Sequence, residues 1–235
     1  ITAYSEYLDE KGTEIEEDYN QRRASLGRMY MEVSAYLGDV DEGQLWTRNQ
    51  NHRDFMYYRL GIGNIPSLAE INVRRQGFRV EKDPWQGKGE EIKKTFKELK
   101  EVPVGIDLMN QSIIGVVSGG NREGAVDILR LLAVQIAYNN CYTDVKLAAI
   151  YDEKKELEAN SLEPLKWFPH CWSTDKKTRY IAGSKDEARE VFFDLGQCLR
   201  DRFNSEKDNL SYSTHYVLML TDKEYLEGEL IKSYV

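Results

Sequence analysis

One stretch of the sequence has the spacing of a chemical motif. "SGGNREGAVDILRLLAVQIA", Ser118 to Ala137, follows an apolar run and opens a helix-like pattern. Gly119 and Gly124 stand at the interval of G-x-x-x-x-G-K-[ST]. A phosphate-binding loop works through backbone N–H groups at a helix N-terminus, a lysine for the β and γ charges, and a hydroxyl for Mg²⁺. Here Ala125 stands where the lysine belongs and Val126 where the hydroxyl belongs. Arg122 brings a cation to the wrong place, and Glu123 repels phosphate. The partner of such a loop is an acidic residue ending a later apolar strand. "HYVLMLTDKE" supplies Asp222, but Lys223 follows where a water-activating glutamate belongs. Glu224 comes one position too late. Asp222 reads equally well as a turn or helix-cap residue. With both halves altered, no catalytic residue and no nucleotide ligand are expected here.

Other candidate ligands are scattered. His52, His170 and His215 stand far apart, and none forms a metal spacing with a second histidine or a cysteine. Cys141, Cys171 and Cys198 make neither a CxxC pair nor an even framework, which predicts structural thiols in a reducing compartment. Trp167, Phe168 and Trp172 cluster, either as packing or as a contact surface for a neighbouring domain. Arg74, Arg75 and Arg79 make a small basic group, open to lipid headgroups or simply solvated.

The elements that must position these residues read in three parts. The first part, residues 1–42, predicts a helix over 1–37, either a surface helix with one buried stripe or a stem, with Ile15, Tyr19, Leu26, Tyr30, Val33 and Leu37 near helical spacing and Gly38 as its stop. Residues 43–100 predict a small β-rich section, including "LWTRNQNHRDFMYYRLGIGNIP" and "GFRVEKDP", then a polar helix over "GEEIKKTFKELKEV". Over residues 101–235 strands and helices alternate. "VPVGIDL", "SIIGVVS", "DVKLAAIY", "TRYIAG" and "HYVLMLTD" are strand-like, while "REGAVDILRLLAVQIAYNN" and "SKDEAREVFFDLGQCLRDRF" are helical, the latter capped at Ser184. Apolar strands separated by helices indicate an α/β fold with a mostly parallel sheet.

With 41% hydrophobic and 31% charged residues among 235, the chain can bury a real core. A net charge of -8 argues against a whole-surface nucleic-acid binder and leaves a local basic patch open. No apolar run reaches the length of a membrane span. A first residue of Ile1 fits a piece of a longer protein.

Three stretches in order carry a family resemblance: the altered loop with its helix, "WFPHCWSTDKKTRYIAG" with the helix after it, and "HYVLMLTDKE". They resemble the RecA-like ATPase domains of the FtsK/SpoIIIE translocases. With "LWTRNQNHRDFMYYRLGIGNIP" and "VPVGIDLMNQSIIGVVSG" upstream, the chain is similar to the juxtamembrane, degenerate ATPase-like domain of type VII secretion ATPases of EssC/YukB/EccC type. The resemblance implies a P-loop-like fold on the cytoplasmic side of the membrane, reached through preceding membrane helices. It implies a hexameric motor with other secretion subunits as partners, and ATP and Mg in downstream ATPase domains rather than in this one. The expected role is non-catalytic coupling and assembly. A weakly active nucleoside triphosphatase with an atypical loop is one alternative, and a DNA-translocase domain another. RecA-like order also implies a later strand between "SIIGVVS" and "HYVLMLT". With little chain after Asp222, the expectation is a fragment cut short, in which "IDL" and "IIGVVS" pair locally.

Overall fold

The computed structural model describes residues 2–36, 38, 42–67, 71–73, 84–205 and 213–234. The chain divides into two compact units, Ile1–Glu32 with Arg59–Ile106, and Val33–Tyr58 with Asp107–Val235.

The first unit is built on a long polar helix. Helix α1, Thr2–Met29, carries one stripe of less exposed positions at Leu8, Ile15, Tyr19 and Leu26. Helix α2, Pro84–Thr95, packs on it, with the Tyr19 and Phe96 rings edge-to-face at 5.4 Å. An exposed Lys88–Asp9 ion pair adds little beyond orientation. Strands β1, Tyr57–Pro66, and β2, Glu98–Asp107, form a two-stranded sheet. The Ser67 N–H bonds the Lys97 carbonyl where β1 ends and β2 begins, so the pair is antiparallel. Gly63 allows close packing there, since a Cβ would lie 3.1 Å from a Val104 methyl, which would have to give way. Two boundaries differ from the sequence reading. The helix expected to run through "KELKEV" ends at Thr95, because Leu99 and Val102 are buried as members of β2. The stem helix ends at Met29, and Val33–Tyr36 forms a short 3-10 turn. The expected strand over "GFRVEKDP" lies outside the described residues apart from its last position, and Leu37, Arg74, Arg75 and Arg79 lie outside them too.

The second unit is mixed α/β. Strand β3, Val145–Ile150, is buried at every position, as a central strand covered on both faces should be. It pairs in parallel with β4, Ile181–Ala182, on one side and with β5, His215–Leu220, on the other. The order is β4-β3-β5, so the connection from β4 to β5 crosses the central strand. Helix α5, Lys185–Ser205, makes that connection. Its Ala188, Val191, Phe192 and Leu195 pack with Ala148 and Ile150 of β3 and with Ile231. The Glu187 N–H donates to the Ser184 hydroxyl, and the Glu187 carboxylate accepts from the Gly183 N–H one residue before the cap, a variation on the capping box. Helix α3, Arg122–Asn139, and helix α4, Glu156–Leu162, pack together. This mixed architecture with a parallel sheet is compatible with a RecA-like fold.

"SIIGVVS" is not a strand. Residues 112–118 are irregular, Val117 is 92% exposed, and "IDL" pairs with β1 instead. β-branched composition alone does not make a strand without a ladder to join. "WFPHC", ahead of β4, forms turns. Pro164 and Pro169 stand at the second and first positions of two successive 3-10 turns, Glu163–Trp167 and Pro169–Cys171, where their fixed φ is accommodated.

Candidate functional site

Three chain segments meet at the carboxyl ends of β3 and β5, the end where open α/β sheets place their ligands. They are the start of α3, the turn after β3, and the turn after β5. The altered loop enters this corner through Gly120, whose φ of 105° suits glycine. Asn121 caps α3, its side chain accepting from the Glu123 N–H at 3.0 Å. Arg122, Glu123 and Gly124 therefore form the first turn of the helix. In a working phosphate loop that stretch stays open around the phosphates. Val126 is 2% exposed and belongs to the core.

Arg122 is committed within the protein. Its Nε donates to the Glu158 carboxylate at 2.7 Å, and its Nη2 donates to the Thr221 carbonyl at 3.1 Å. The Glu158 side chain is 0% exposed. It also accepts from the Thr221 hydroxyl at 2.6 Å and the Asp152 N–H at 3.0 Å, with Lys155 Nζ at 3.6 Å. Burial would raise the Glu158 pKa, but Thr221, the Asp152 N–H, Arg122 and Lys155 outweigh it. The carboxyl is held below the usual range and is ionised at neutral pH.

Asp222 is the N-cap of the 3-10 turn Lys223–Leu226 and accepts from the Glu224 N–H at 3.0 Å. That is a turn-residue role. Lys223 and Glu224 both face solvent. A cleft of about 360 Å³ opens beside this turn. Its three lysines face Asp152, Glu153, Asp222 and Glu224, a balance unsuited to a triphosphate. Residues 125 and 126 supply neither cation nor hydroxyl, and Arg122 and Asp222 are engaged elsewhere. The loop thus lacks the lysine and the hydroxyl with which a phosphate loop holds ATP–Mg.

Glu158 and Thr221 were missed by sequence reasoning. A signal existed. Glu158, Ser161 and Leu162 are the buried positions of α4, so a glutamate stands on the core-facing stripe of a short helix.

The remaining candidates stay apart. His52 Nδ1 accepts from the Asn49 N–H at 3.1 Å. His170 is buried, with Nε2 2.8 Å from the Asn140 carbonyl, while the Asn140 side chain accepts from the Tyr58 hydroxyl at 2.7 Å. His215 packs edge-to-face on Phe55. Cys141, Cys171 and Cys198 are free thiols, and among the described residues no group of histidine, cysteine and carboxylate could hold a metal. Trp167 is 75% exposed. The Arg179 guanidinium lies 4.4 Å from the Trp172 ring centre and 6.0 Å from that of Trp167.

Burial lowers the pKa of both His170 and His215. Arg202 lowers His215 further, while hydrogen bonds to the Asn140 and Asp144 backbones oppose the shift. The unfolded chain binds these protons at the ordinary value of 6.5 and the folded chain does not. Their contribution is therefore full above that value and is lost as pH falls below it. Melting temperature should decline from pH ~7 to ~5, and a His170→Gln/His215→Gln variant should flatten the decline. An unchanged slope in that variant would count against the assignment.

Comparison with known proteins covers almost the entire chain. It is 24% identical over 237 residues to the ESX secretion system protein EccC of Geobacillus thermodenitrificans. It is 22% identical over 237 residues to the ESX secretion system protein YukB of Bacillus subtilis. It is 21% identical over 241 residues to the type VII secretion system protein EssC of Staphylococcus aureus. Each match takes in 99% of this chain. The chain is a relative of the EccC, YukB and EssC secretion proteins. It spans about 16% of the length of each. No family model matches it. Among the described residues no helix is long and apolar enough to cross a membrane.

Proposed function

We propose that this chain is a non-catalytic, ATPase-like segment of a type VII protein-secretion machine. It couples a membrane anchor to catalytic domains elsewhere in the same protein and contributes to assembly, on the cytoplasmic side of the membrane. Its partners are other secretion subunits and the protein's own ATPase domains, in a ring of identical copies. ATP and Mg act in those domains. The relatives' names supply the secretion context. One observation carries the non-catalytic reading: the loop's own cation, Arg122, is spent on a buried glutamate of the same chain. A rigid corner that needs no nucleotide suits a part that transmits position.

The test uses the complete secretion protein. Glu158→Ala should stop export while ATP hydrolysis persists, since the substitution loosens the coupling element and leaves the catalytic sites alone. Proportional loss of hydrolysis and export would overturn the reading in favour of a weak nucleoside triphosphatase at this site.

A further inference from the structure

The donors around Glu158 are arranged as an oxyanion site. Arg122 comes from the first residue of α3, the Asp152 N–H from the turn after β3, and the Thr221 hydroxyl from the turn after β5. Lys155, just ahead of α4, adds a second cation at 3.6 Å. Two cations, a backbone N–H and a hydroxyl converge on one point. Oxygen anions are recognised by such charge-assisted donors. Arg122 is 36 residues from Glu158 in the chain and Thr221 is 63 residues from it, so the site is assembled by tertiary structure and not by a local turn.

We propose that the Glu158 carboxylate is a tethered substitute for an anionic ligand: it fills an oxyanion site at the carboxyl ends of β3 and β5 and keeps that corner closed. A phosphate-class anion would need the same donors. It must displace a group that is attached to the chain, so the effective concentration of the competitor is high. The corner is consequently held in one geometry whatever the surrounding nucleotide concentration. This rests on the non-catalytic reading above and adds the device that enforces it.

The experiment is chemical rescue. Glu158→Ala removes the tethered anion and leaves its donors. Inorganic phosphate or formate, added at constant ionic strength against chloride, should raise the melting temperature of Glu158→Ala saturably by several degrees. The unmodified chain should not respond. Arg122→Ala/Glu158→Ala should lose the response. If Glu158→Ala is unfolded in plain buffer, phosphate should restore its folded circular-dichroism signal. A Glu158→Ala chain that ignores both anions, or one that responds no more than the unmodified chain, would overturn the proposal. Nucleotide binding by the unmodified chain would instead contradict the non-catalytic reading. It would leave a successful rescue of Glu158→Ala standing, so the two failures are distinguishable.

Discussion

Glu158→Ala is expected to lower the unfolding free energy by about 2–4 kcal/mol, the largest effect of any single polar substitution at this corner. The carboxylate is fully buried and receives three donors besides Lys155. Hydrogen bonds to a charged group contribute roughly 1.5–3 kcal/mol each but do not add. Removing the acceptor leaves the Asp152 N–H and the Thr221 hydroxyl without the group they bond. In a domain of this size a kcal/mol moves the melting temperature by roughly 2–4 °C, so the expected fall is on the order of 10 °C. Arg122→Ala should lose less, because the guanidinium is 48% exposed and solvent screens it. The double variant should lose less than the sum, since the two residues share one interaction. Additive losses in urea titrations would show that the pair is not coupled. The sign of the pH dependence follows from the depressed Glu158 pKa. The contribution is present above its ordinary value of 4.5 and is lost as pH falls through the lower folded value.

Rebuilding the loop should fail. Ala125→Lys/Val126→Thr restores the residue types of a phosphate loop, yet no nucleotide binding is expected from it. Arg122 to Gly124 remain wound into α3, and Glu158 still occupies the donors beneath them. The change should instead destabilise the chain by about 1–3 kcal/mol, because Val126 is buried and a hydroxyl there must find a partner. Valine and threonine are similar in shape but not in solvation. A double variant that bound ATP–Mg saturably would mean that the missing side chains alone disable the loop.

How much of this was legible beforehand differs by element. Helix α3 and strands β3 and β5 were readable, since long apolar periodicity and a buried run leave little choice. Ser184 as the cap of α5 followed from local chemistry, whereas the sequence left Asp222 open between a turn residue and an acidic-motif ligand. "SIIGVVS" was misread because strand formation depends on a pairing partner, which periodicity does not report. The altered loop was visible as an absence of lysine and hydroxyl. What replaced them was not, because Glu158 is brought to Arg122 and Thr221 only by the packing of α4 against α3 and the strand ends.

The most direct test of the central claim is calorimetric titration of the unmodified chain with ATP–Mg, run beside Glu158→Ala. The expected result for the unmodified chain is no saturable heat up to millimolar nucleotide, since Arg122 and the strand-end donors are already satisfied. A clear micromolar isotherm, abolished by Arg122→Ala, would contradict it.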